Sequence, residues 1–125
     1  TLVGLCVLGG IFAEGIDLKG DSLIGVAIVG TGLPMKCDEN EIYKSYFDNK
    51  KLRGFDYAYN YPGISKVTQA GGRVIRTETD KGAILLLDER FLQKSYLPLF
   101  PREWLPYSIV NENSLEQELK NFWNE

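Results

Sequence analysis

Pro62–Gly82 reads PGISKVTQAGGRVIRTETDKG and runs straight into Ala83–Leu87, AILLL. The first stretch has helical spacing; the second has the unbroken apolar character of a strand covered on both faces. At about 100° per residue, Gln69, Gly72, Arg73 and Arg76 fall at i, i+3, i+4 and i+7 and share one face. Ile64, Val67, Ala70, Val74 and Ile75 collect on the opposite side. An apolar stripe of this kind is what a helix gives to its core. The other stripe holds two guanidinium groups one turn apart. Each can donate a planar pair of hydrogen bonds to the oxygens of a multiply charged anion, of which phosphate fits best. A solvated basic face is the alternative on spacing alone. Gly71-Gly72 weighs against it, because each mid-helix glycine costs roughly 1 kcal/mol relative to alanine. Such a pair points to close approach by another backbone or by a ligand.

Outward from this stretch, Leu23–Gly30 (LIGVAIVG) and Leu2–Leu8 (LVGLCVL) read as two further buried strands. Asp38 to about Asn49 reads as a helix, with Asp38 and Glu41 as an acidic form of the N-terminal box. Ser114 and Gln117 form a capping box before a last helix whose apolar face is Leu115, Leu119, Phe122 and Trp123. Strands alternating with helices predict an α/β fold, a parallel sheet flanked by helices. Gly30-Thr31-Gly32-Leu33-Pro34 reads as a turn, since a dinucleotide fingerprint needs a third glycine and a helix that Pro34-Met35 does not open. No G-x-x-x-x-G-K-[ST] phosphate loop occurs in the chain. Asp88–Arg90 therefore reads as a turn into a helix over Phe91–Tyr96, not as a magnesium site.

Phe55, Tyr57, Tyr59 and Tyr61 alternate, and an extended segment would put all four rings on one side. Such a platform can stack single-stranded bases, or it can be a hydrophobic flap. Lys44, Lys50, Lys51 and Arg53 make a modest basic patch, a candidate DNA-backbone contact or a solvated face. Lys44, Lys51, Tyr57 and Tyr59 are the candidate DNA-binding set. Glu14 and Asp17 lie in a loop rich in glycine and acid after the first strand-like run. Parallel α/β folds gather ligands at such strand ends. The two carboxylates could meet a sugar hydroxyl, a metal-bound water or an arginine, or serve as turn and cap residues.

With 125 residues and 44% hydrophobic content, the chain is one domain, residues 1–125, or part of one. Residues 107–125 would be a linker and amphipathic helix. A net charge of −3 does not point to nucleic-acid binding, so any DNA contact would have to be local or made mostly by backbone groups, not by a broad basic patch. The chain has no histidine, which excludes a histidine-based triad or zinc site within it. Cys6 and Cys37 lack paired spacing and read as reduced thiols, Cys6 within a buried strand. No apolar run is long enough to span a bilayer, and the first ten residues lack a basic leader. The expectation is a cytoplasmic protein with no membrane partner and no metal site. Thr1 enters a strand directly and no methionine precedes Met35, which suggests a piece of a larger protein.

Two motifs together resemble a known family. Gly10-x-Phe12-x-Glu14-Gly15-Ile16-Asp17 looks like motif V of the superfamily 2 helicases in the form used by the XPD/DinG group. Gln69-x-x-Gly72-Arg73-x-Ile75-Arg76 is similar to their motif VI. Tyr61-Pro62, Leu87-Asp88-x-Arg90 and Pro101…Trp104 also stand where that group has similar residues, so the resemblance covers about residues 4 to 105. Ala13 and Gly63-Ile64 depart from the pattern without touching the arginines. The resemblance implies most of a RecA-like (P-loop NTPase-like) second helicase lobe, incomplete here. ATP and magnesium would be bound mainly by an N-terminal lobe outside this chain, which could also carry an iron–sulfur cluster. It implies catalytic roles for Arg73 and Arg76 as arginine fingers and for Gln69 in coupling. Glu14, Gly15, Asp17 and Gly72 would be nucleotide-binding. The partners would be that N-terminal lobe and single-stranded DNA, and this chain alone would be inactive. The alternative is a non-catalytic module that binds an anion or single-stranded DNA.

Overall fold

The computed structural model describes residues 2–11, 18 and 22–124. Two strands, β1 (Gly25–Val29) and β2 (Ala83–Leu87), pair in parallel, with Gly25 opposite Ala83 and Val29 opposite Leu87. Parallel neighbours need a long crossover to return the chain to the same end. That crossover holds α1 (Asp38–Asn49), a π-helical turn (Asp56–Asn60) and α2 (Tyr61–Gly71). Short 3-10 turns follow β2 at Glu89–Leu92, Leu97–Leu99 and Arg102–Trp104, and then comes α3 (Leu115–Asn124). A small parallel sheet with helices agrees with the α/β class read from the alternation.

The core lies between α2 and one face of the sheet. Val26, Ile28, Ile84 and Leu86 alternate onto that face, and α2 brings Ile64, Val67 and Ala70 against it. Phe91 and Tyr96 close the cluster, backed by Leu99, Phe100 and Trp104. Each large apolar side chain buried here contributes about 1.5–3 kcal/mol. Pro62 sits in the first turn of α2, where its missing N–H costs nothing. Gly63 lets that turn rest on the loop after β1, since a Cβ on Gly63 would lie 2.7 Å from the Thr31 carbonyl oxygen.

Several expectations are corrected. The other face of the sheet is open among the described residues, with Val29 77% and Leu87 46% exposed. An unbroken apolar run shows which residues cover would suit, not which are covered. Leu2–Leu8 forms no strand, because β1 and β2 pair only with each other among the described residues. Leu2 and Leu5 are 95% and 96% exposed, and Cys6 is exposed too, while Leu8 packs on the core.

Phe55 to Tyr61 is helical, not extended. Its rings meet at i, i+4 instead of lining one side: Phe55 stacks on Tyr59 at 5.0 Å, and Tyr57 meets Tyr61 edge to face at 5.1 Å. α1 has the predicted bounds, but Cys37 is its N-cap and makes no side-chain cap bond. Asp38, Glu39 and Glu41 in the first turn favour it through the helix dipole instead. The box before α3 is Asn111 with Ser114, not Ser114 with Gln117. The Asn111 side-chain carbonyl accepts from the Ser114 N–H at 3.1 Å, and the Ser114 hydroxyl accepts from the Asn111 N–H at 3.0 Å. Gln117 bonds Asn121 instead. The helix expected over Phe91–Tyr96 is a 3-10 turn ending at Leu92, followed by a plain turn.

Candidate functional site

α2 stops sooner than its periodicity predicts. The Gly72 N–H still reaches four residues back, to the Thr68 carbonyl at 2.8 Å. The next two reach only three back, Arg73 to Ala70 at 3.3 Å and Val74 to Gly71 at 3.1 Å. The glycine pair followed by β-branched Val74 and Ile75 lowers helix propensity enough to end the rod there. Arg73 and Arg76 therefore lie on the turn and loop beyond α2, and Gln69, Gly72, Arg73 and Arg76 do not share a helix face. Val74 still turns into the interior, whereas Ile75 is 42% exposed.

The close approach expected at the glycine pair occurs at Gly71, and its neighbour is the chain's own Trp104. A Cβ on Gly71 would lie 2.5 Å from the indole Cζ2. Gly72 and Gln69 are exposed, and Arg73 is half-buried.

Beyond the turn, one carboxylate holds the loop. Asp80 Oδ2 accepts from the backbone N–H of Arg76 at 2.8 Å and of Thr77 at 2.9 Å, while Oδ1 accepts the Thr77 hydroxyl at 2.8 Å. The Thr77 hydroxyl first, and then the two amides, hold the Asp80 carboxyl below its usual value. Arg76 Nε donates to the Arg73 carbonyl at 3.4 Å, so the two arginines are joined through one backbone group. Arg76 is exposed. Glu14, Gly15 and Asp17, with Phe12 and Ile16, lie outside the described residues.

The candidate DNA-binding residues are not gathered into a platform. Lys44 pairs with Asp48 at 2.8 Å, and that hydrogen bond raises its pKa. Lys51 is exposed at a positive φ of 59° just after α1. Tyr57 stacks on Phe47, ring centres 4.2 Å apart. Tyr59 is buried, and its hydroxyl donates to Glu41 Oε1 at 2.5 Å. That bond, with burial, pushes the Tyr59 hydroxyl up to about 12. The ring faces of both tyrosines are thus used within the chain.

Asp88 organises the turn after β2 as expected. It caps the 3-10 turn by accepting from the Arg90 N–H, and its two oxygens take Arg90 Nε and Nη2 at 2.9 and 2.7 Å. Among the described residues no cluster of three or more acidic, cysteine or histidine side chains is arranged to hold a metal.

Sequence reasoning missed three features here. Asp80 carries no sequence signal as the acceptor of the Arg76 amide. Trp104 enters the sequence reading only with Pro101, as part of the family resemblance, and not as a neighbour of Gly71. The buried relay from Tyr96 through Asn60 to Asp56 joins residues far apart in sequence and leaves no local signal.

Residues 1–107 match the family described as "Helicase C-terminal domain". The chain belongs to the helicase C-terminal domain family. A probable ATP-dependent helicase of Methanocaldococcus jannaschii is 32% identical over 70% of this chain. The ATP-dependent DNA helicase YoaA of Escherichia coli is 31% identical over 68% of it. The regulator of telomere elongation helicase 1 homolog of Drosophila melanogaster is 36% identical over 74% of it. These relatives bear out the resemblance to the XPD/DinG group. This helicase C-terminal domain spans 15%, 14% and 10% of those three proteins respectively. Among its described residues no helix is long and apolar enough to cross a membrane.

Proposed function

We propose that this domain is the C-terminal, RecA-like motor lobe of an ATP-dependent DNA helicase, and that it supplies arginine fingers to ATP bound mainly by another lobe. The observation that carries the reading is the turn at the end of α2. It links Arg73 and Arg76 through one carbonyl and places them on the turn and loop just beyond a packed helix, with Arg76 exposed. Guanidinium groups held this way stabilise charge spreading over the γ-phosphate oxygens in the transition state.

Arg73 and Arg76 reach the γ-phosphate, and Gln69, exposed one turn earlier, couples its presence to closure of the cleft. Glu14, Gly15, Asp17 and Gly72 line the nucleotide side. The lobe that binds the phosphates would also hold the magnesium, which would neutralise phosphate charge there. A four-thiolate iron–sulfur cluster does not fit a chain with two cysteines, so any cluster belongs to the rest of the protein. Opening and closing of the cleft moves single-stranded DNA past the lobe. The exposed Lys51 is the candidate backbone contact. Lys44, Tyr57 and Tyr59 support the surface behind it.

Turnover measured in the full-length protein carrying this lobe tests the reading. Arg73→Ala and Arg76→Ala should each lower DNA-stimulated ATP hydrolysis by roughly 10³-fold or more while ATP affinity stays within a few fold. Normal turnover in either variant rules the finger assignment out. This chain by itself should hydrolyse no ATP.

A further inference from the structure

We infer that Asp80 is a positioning residue for Arg76, a carboxylate clamp that fixes the backbone from which the guanidinium reaches its anion. The inference rests on the finger reading of Arg76. Three hydrogen bonds converge on this one side chain. Two come from the consecutive amides of Arg76 and Thr77, at 2.8 and 2.9 Å, and the third from the Thr77 hydroxyl at 2.8 Å. Thr79 and Thr77 hydroxyls lie 3.1 Å apart, which ties the intervening turn to the same cluster.

The clamp is needed because α2 has already ended. Past Gly71 no helical ladder fixes the backbone of Arg76, and Ile75 is too exposed to anchor it by packing. Without the clamp the backbone at Arg76 would sample more orientations and would have to be ordered anew in each catalytic cycle. Charge-assisted bonds to an ionised carboxylate are stronger and more directional than neutral ones. The hydroxyl and amide donors keep Asp80 ionised by holding its carboxyl below the usual range. Asp80 touches no substrate in this account. It acts through Arg76 alone, by removing freedom that the finger would otherwise lose on reaching the transition state.

Two readouts separate the clamp from the finger. In this chain, amide hydrogen exchange at Arg76 and Thr77 should speed up roughly tenfold in Asp80→Ala, with β2 amides unchanged. Asp80→Asn, which keeps one carbonyl acceptor, should fall between. If Asp80→Ala loses protection throughout β2, Asp80→Asn alone is read on the same criterion. In the full-length protein, Asp80→Ala should lower kcat at least tenfold with ATP affinity held. Combined with Arg76→Ala it should lower kcat no further than Arg76→Ala alone. Unchanged exchange at Arg76 and Thr77, or additive losses in the double variant, overturns the clamp and leaves the finger standing. Normal turnover in Arg76→Ala overturns both.

Discussion

Trp104 lies over Gly71 so closely that a single methyl group on that glycine would sit 2.5 Å from the indole ring. The contact joins the segment after β2 to the end of α2, two residues before Arg73. Gly71→Ala would ordinarily favour a helix. Here the added Cβ must displace the indole, and overpacking of this kind costs typically 1–3 kcal/mol. Urea unfolding of the chain should show a lower midpoint for Gly71→Ala. An unchanged or raised midpoint means that the indole yields freely.

The Tyr96 hydroxyl donates to Asn60 Oδ1 at 2.9 Å, and the Asn60 amide donates to Asp56 Oδ1 at 2.7 Å, all within the buried interior. The relay pins the π-helical turn to the segment after β2. Tyr96→Phe leaves the Asn60 carbonyl without its donor and should cost about 1–3 kcal/mol. Removing both partners should cost less than the sum of the single changes. A double-mutant cycle of Tyr96→Phe with Asn60→Ala checks this, and strict additivity would mean that the bond contributes nothing.

Tyr59 sets an alkaline limit. Its hydroxyl titrates near 12 when folded against a usual 10.0, chiefly because it donates to Glu41 and secondarily because it is buried. A raised folded pKa means that the folded state holds the proton longer. The associated stability is full below pH 10 and is lost as pH rises toward 12. Tyr59→Phe should flatten that part of the stability curve. An ultraviolet titration should show a late tyrosine ionisation that is lost in Tyr59→Phe. A titration identical in the two proteins contradicts the assignment.

How far the letters alone carry can be seen element by element. β2 and, within a residue or so, α1 are legible, because a five-residue apolar run and a twelve-residue polar helix each obey local rules. The aromatic segment is not. Period-two spacing contains i, i+4 pairs, so Phe55, Tyr57, Tyr59 and Tyr61 suit a strand face or two helical ring pairs equally well. The arginine helix fails for a related reason. Angular spacing ignores where a helix ends, and Gly71-Gly72 ends this one before Arg73. The motif residues themselves are legible, since Gln69-x-x-Gly72-Arg73-x-x-Arg76 is a matter of identity and not of geometry. What holds them, Asp80 on one side and Trp104 on the other, depends on contacts that no local pattern encodes.

The most direct measurement is affinity for ADP with aluminium fluoride, which mimics the phosphoryl group in flight, compared with affinity for a non-hydrolysable ATP analogue in the full-length protein. A finger binds the transition state more tightly than the ground state. Arg76→Ala should therefore weaken the aluminium fluoride complex by roughly 10³-fold while the ATP analogue binds within a few fold of normal. Equal weakening of both ligands, or of neither, would contradict an arginine finger at Arg76.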